Sequence, residues 1–119
     1  MSGHTADQLE ELRQDLIALR EEIALLLSSS REAARPVDLD QPIGRLSRMD
    51  ALQQQSMLAA NRRAAEVRLQ RADAALQRLG EGEYGQCVSC GEEIGYARLK
   101  AGPETPFCLG CQSRRERRP

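Results

Sequence analysis

Residues 87–111 read CVSCGEEIGYARLKAGPETPFCLGC, and the reading of the whole chain turns on them. Cys87 and Cys90 form one C-x-x-C pair and Cys108 and Cys111 a second, with seventeen residues between them. All 4 cysteines of the 119-residue chain lie in these pairs. Each C-x-x-C turn aims two thiolates at one point, so two turns supply the four sulfurs of a closed tetrahedral zinc site. Four protein ligands leave no position for water. The expected metal is therefore structural, one zinc per chain, and not a Lewis acid.

Other uses of the cysteines fit less well. Disulfides need an oxidising compartment, and the polar start Met1 to Gln8 is not followed by the apolar stretch of a signal peptide. A thioredoxin-like redox site needs a single C-x-x-C in a βαβ setting, which the pattern lacks. An iron–sulfur cluster takes the same four thiolates, and spacing alone does not separate it from zinc.

Composition sets the frame around this module. The chain has 2 Tyr, 1 Phe and no Trp, while 29% of its residues are charged. That suits long exposed helices better than a packed sphere. No stretch approaches the ~18 apolar residues of a membrane span, and a cytoplasmic location is expected. Charge is unevenly placed: residues 1–60 hold six Arg against ten Asp/Glu, and residues 61–119 hold ten Arg and one Lys against eight Glu/Asp. The acidic first half excludes a strongly basic DNA-binding face there. The densest basic cluster is the tail Arg114-Arg115-Glu116-Arg117-Arg118.

Leu9, Leu12, Leu16, Leu19, Ile23 and Leu26 alternate at spacings of three and four, the a/d seam of a coiled coil. Thr5-x-x-Gln8 reads as a capping box at its start. The helix is expected from about Ala6 to about Ala34, since Arg35-Pro36 disfavours continuation. Pro36, Pro42 and Gly44 mark a loop at about 35–47. Ser47-x-x-Asp50 reads as a variant capping box for a second helix. Its seam is Leu58, Ala65, Leu69, Ala72, Leu76 and Leu79, and Gly80 and Gly82 are expected to end it.

Two long helices and a short loop give an antiparallel hairpin. The alternative is an extended dimeric coiled coil, against which the two prolines and Gly44 argue. The expected architecture is all-α dominated and monomeric. A helical hairpin spans residues 1–79, and residues 80–119 form a four-cysteine zinc finger with a short C-terminal helix and the basic tail. Tyr84, Ile94, Leu99 and Phe107 are the expected apolar core of the finger. So few apolar residues leave metal binding to supply the folding energy.

Catalytic constellations are missing from the pattern. His4 is the only histidine and is expected in a frayed terminus. There is no G-x-x-x-x-G-K-[ST] phosphate loop. The chain reads as a non-enzyme.

The string from Leu79 to Leu99, with its core Tyr84-Gly85-x-Cys87-x-x-Cys90-Gly91-x-x-Ile94-x-x-x-Arg98-Leu99, resembles the zinc finger of the DksA/TraR family, and the likeness continues through Ala101, Pro103, Cys108, Cys111 and Gln112. The resemblance implies a bacterial regulator that binds RNA polymerase directly, without sequence-specific DNA recognition. It implies that the coiled coil enters the polymerase secondary channel and that acidic tip residues approach the catalytic centre. The tip pattern D-P-V-D-x-A of DksA-type members is partly kept, as Arg35-Pro36-Val37-Asp38-Leu39-Asp40. Asp38 and Asp40 are then the tip candidates, with Asp50-Ala51 as a second match and Arg45 and Arg48 as basic neighbours. Of three basic positions that contact ppGpp in DksA-type members, two fall on Ala64 and Gln112. Only Arg71 keeps its charge, which weakens the implied ppGpp response. A nucleic-acid-binding zinc protein and a structural adaptor are the competing classes, and the acidic first helix and scarcity of aromatics disfavour the former.

Overall fold

The computed structural model describes residues 3–33 and 48–117. Helix α1 spans Ala6–Ala33, α2 Arg48–Glu81, α3 Tyr96–Ala101 and α4 Leu109–Glu116. At 28 and 34 residues, α1 and α2 are about 42 and 51 Å long.

The start of α1 is fixed by its own sequence. The Thr5 hydroxyl accepts from the Gln8 amide at 3.1 Å, and the Gln8 side chain accepts from the Thr5 amide at 3.0 Å. This reciprocal capping box satisfies two of the helix's open donors. The end of α2 differs from the expectation. Gly80 stays helical, and the helix continues through Glu81. Gly82 then takes φ +75°, with its amide bonded to Leu79 O and the Glu83 amide to Arg78 O. Those two bonds make a Schellman motif, whose αL position favours glycine. Gly82, rather than Gly80, stops the helix.

The first turns of α1 pack against the last turns of α2, so the pair is antiparallel. Leu12, Leu16, Ala72 and Ala75 are fully buried there, flanked by half-buried Leu9, Leu19, Leu76 and Leu79. Arg20 of α1 pairs with Asp73 of α2 at 3.6 Å. The seam is narrower than the heptads suggest. Leu26 is 56% exposed and Leu58 46% exposed, while Ala75, outside the expected seam, is completely buried. Small residues at 72 and 75 let the helices approach near the base. Further out Ile23 of α1 is still buried, but Leu26 of α1 and Met49, Leu52, Met57 and Leu58 of α2 stand exposed.

Tyr84, Ile94, Leu99 and Phe107 are buried, as the sequence suggests. They join Leu12, Leu16, Ala72 and Ala75 in a single cluster. The finger and the hairpin base therefore share one core. No described helix is long and apolar enough to cross a membrane.

Candidate metal centre

The first cysteine pair sits on a tight turn after α2. Gln86 and Glu93 form an antiparallel bridge. The Cys87 amide donates to Glu92 O at 2.7 Å, the Gly91 amide to Cys87 O at 2.9 Å and the Ile94 amide to Gly85 O at 2.7 Å. Gly91 has φ +79°, a conformation in which a Cβ is strained. Cys90 emerges at the end of the turn and is exposed, while Cys87 is buried beneath it.

The second pair sits on a helix start. Cys108 is the N-cap of α4, and its sulfur accepts from the Cys111 amide at 3.5 Å. The loop before it is held by bonds from several other parts of the chain. Tyr84 Oη donates to Pro103 O at 2.9 Å, Arg98 Nε to Phe107 O at 3.1 Å, and the Val88 amide to Pro106 O at 2.9 Å. The last of these ties one cysteine turn to the other. Burial pushes the Tyr84 phenol up to about 12, so its proton stays available to Pro103. The Arg115 guanidinium lies 4.5 Å above the Phe107 ring and covers the loop.

These supports bring the four sulfurs of Cys87, Cys90, Cys108 and Cys111 within 4.8 Å of one another. Cys90 and Cys108 are 3.7 Å apart at sulfur. A regular ZnS₄ tetrahedron with 2.3 Å bonds has edges of about 3.8 Å. All four cysteines are free, not disulfide-bonded. Burial raises the Cys87 thiol, but the backbone amides of Cys108, Cys90 and Ser89 outweigh it and bring it down to about 6. At Cys90 the Glu92 amide pulls down, but desolvation and the Cys87, Cys108 and Cys111 side chains push the thiol up to about 12. Once one thiolate forms, the next is opposed by its neighbours. A dication at the centre removes that opposition. The donor set fits zinc, which would tie the two turns together and do no chemistry of its own.

The finger is also fastened to α1. Lys100 Nζ lies 2.8 Å from both Glu11 and Asp15 carboxylates, and Tyr96 Oη donates to Glu11. Arg68 of α2 reaches Glu104 at 3.5 Å. His4 corrects the expectation of a frayed terminus. Its Nε2–H donates to Ile94 O at 2.9 Å, its Nδ1 lies 3.6 Å from Glu93, and its side chain is 6% exposed. The capping box at Thr5 is the sequence signal that could have located it, because it orders the residue just before the helix.

The tip candidates fall elsewhere. Asp38, Asp40 and Arg45 lie outside the described residues, as does Ser47. Arg48 is the first residue of α2. Asp50 stands in the first turn of α2 with Ala51 beside it, both exposed, near the end of the hairpin opposite the cysteines. Arg71 is half-buried on α2 close to the base. Site candidates thus divide between the two ends of the long helices.

Such a molecule is a helical-hairpin protein capped by a four-cysteine zinc finger. The profile described as "Prokaryotic dksA/traR C4-type zinc finger" matches residues 82–117. An RNA polymerase-binding transcription factor DksA from Caulobacter vibrioides is 33% identical over 113 residues, covering 93% of this chain and 78% of its own. The DksA of Escherichia coli K12 is 27% identical over 110 residues, covering 89% of this chain and 70% of its own. The structure of transcription factor DksA2 from Pseudomonas aeruginosa superimposes with a TM-score of 0.69 at 26% identity, over 93% of this chain and 84% of that one. A DnaK suppressor protein from Agrobacterium tumefaciens gives 0.61 at 28% identity, over 96% of this chain and 99% of that one. The chain belongs to the DksA/TraR family. The DksA relatives from Caulobacter vibrioides and Escherichia coli are named as transcription factors, in agreement with the non-catalytic reading.

Proposed function

We propose that this chain is a cytoplasmic, monomeric transcription regulator that binds RNA polymerase through the secondary channel and alters initiation with its hairpin tip. The observation that carries the proposal is a relative named as an RNA polymerase-binding factor that aligns over 93% of the chain, hairpin and finger together. In this reading residues 1–79 are the lever and residues 80–119 the zinc-bound base. One zinc per chain is held by Cys87, Cys90, Cys108 and Cys111. A lever of about 40 Å reaches into a narrow channel while its base docks outside. Asp38, Asp40, Asp50 and Ala51 form the effector tip, and Arg45 and Arg48 grip acidic polymerase surface. Carboxylates brought near a catalytic Mg²⁺ perturb it by charge alone. Arg71 is the one position kept for a ppGpp contact, so ppGpp has a smaller part than polymerase.

The test is the triple variant Asp38→Asn/Asp40→Asn/Asp50→Asn, read by circular dichroism, polymerase-binding titration and in vitro transcription on one preparation. It is expected to keep helicity, zinc and binding, and to lose the effect on initiation. Regulation equal to wild type would remove the acidic tip from the mechanism. Loss of binding would make the tip an anchor instead.

A further inference from the structure

Three of the four ligand sulfurs receive hydrogen bonds from the backbone. The amides of Cys108, Cys90 and Ser89 serve Cys87, the Glu92 amide serves Cys90, and the Cys111 amide donates to the Cys108 sulfur at 3.5 Å. Cys111 is placed differently. It lies inside α4, where the amides that follow it are used by the helix's own i→i−4 bonds. The Gln112 amide, for example, donates to Cys108 O at 2.9 Å. The donor that the structure gives Cys111 is a side chain, Arg114 Nη2, 3.6 Å from its sulfur. Arg114 is one helical turn along, and its Nε donates to Gly110 O at 3.4 Å, which orients the guanidinium toward the sulfur. Cys111 is only 5% exposed, so water is a poor substitute.

We propose that Arg114 is the positioning residue of the metal centre. Its guanidinium donates to the Cys111 thiolate and offsets the negative charge of the cluster, and this sets how fast the finger releases its metal. The inference rests on the zinc assignment. Four thiolates around a dication leave roughly two negative charges in the finger. A charge-assisted N–H···S bond draws density from one of the four bonds and makes that sulfur less open to protons and electrophiles. A helix-borne ligand thereby gets from a side chain what the turn-borne ligands get from amides.

Zinc content of the wild-type full-length protein is measured first, and one equivalent is required; its absence would sink the zinc reading itself. Arg114→Ala, Arg114→Lys and Arg117→Ala are then compared by transfer of zinc to a chromogenic chelator. The sulfur-to-metal charge-transfer band of the Co²⁺-substituted proteins is recorded alongside. Arg117 sits at the C-cap of the same helix and controls for charge alone. The expected result is transfer about 10-fold faster in Arg114→Ala, with a red-shifted charge-transfer band, and partial recovery of both in Arg114→Lys. Arg117→Ala should match wild type. The proposal is overturned if Arg114→Ala keeps the wild-type rate and band, or if Arg117→Ala accelerates transfer equally.

Discussion

Lys100 Nζ lies 2.8 Å from Asp15 Oδ2, joining the finger to α1 across 85 residues of sequence. The same ammonium donates to Glu11, which also receives the Tyr96 hydroxyl. Two carboxylates one turn apart on α1 thus receive two donors from α3. The Lys100 bond, then the Tyr96 bond, holds the Glu11 carboxyl below its ordinary value. The two acids, Asp15 first, hold the Lys100 ammonium above its own.

The pH dependence of this clasp follows from the signs. A lowered carboxylate contributes stability above its unfolded pKa and loses it as pH falls through the folded value. A raised ammonium contributes below its unfolded pKa and loses that as pH rises through the folded value. The clasp is therefore complete between about pH 5 and pH 10. Glu11→Gln imitates the protonated acid. Denaturant unfolding should show wild type more stable than Glu11→Gln at pH 7, with the gap closing as pH falls below about 4. A gap unchanged with pH would show that the Glu11 charge takes no part.

Metal removal should be felt beyond the finger. Tyr84, Cys87, Ile94 and Leu99 share a core with Leu12, Leu16, Ala72 and Ala75. Loss of zinc frees both cysteine turns and unseats Leu99 and Lys100 from α1. Chelation should lower amide protection at Leu9 to Leu19 and at Leu69 to Leu79, while circular dichroism keeps much of its helical signal. Cys87→Ser should do the same. Hydrogen exchange unaltered in those segments would mean two independent parts.

The parts that were legible in the sequence have local causes. Thr5 and Gln8 cap a helix through their own side chains, and the spacing of the cysteines carries the geometry of a metal site. The finger core was legible because a short apolar set has few other places to go. What escaped depends on tertiary approach. The burial of Ala75 follows from how closely two helices approach, which a heptad count does not contain. Lys100 looked like any surface lysine, since its partners lie 85 and 89 residues away. The role of Arg114 needs the sulfur of Cys111 in view.

The narrowed seam gives a paired test. Leu16 is fully buried and Leu26 is 56% exposed, though both occupy the same heptad stripe. Leu16→Ala should destabilise by about 2–5 kcal/mol, since it opens a cavity in the shared core. Leu26→Ala should stay within about 0.5 kcal/mol. Chemical denaturation of the zinc-loaded protein measures both. Equal costs would mean that the seam is closed along its whole length in solution.

His4 and Gly85 make the sharpest local prediction. Gly85 has φ +96°, and a Cβ built there would stand 2.8 Å from His4 Nδ1 and 2.9 Å from its Cε1. Gly91 has φ +79° with nothing within 4 Å of its Cβ position. Both alanine variants carry the left-handed backbone cost, about 1–2 kcal/mol. Gly85→Ala must in addition push the imidazole off Ile94 O and break the bond that pins the start of α1. It should therefore cost more than Gly91→Ala. With His4→Ala as background, the clash and the bond are both gone, and Gly85→Ala should fall to the backbone cost alone. A double-mutant cycle on the zinc-loaded protein reads this coupling directly. Additive effects of His4→Ala and Gly85→Ala would show that the imidazole does not occupy the cleft beside Gly85 in solution.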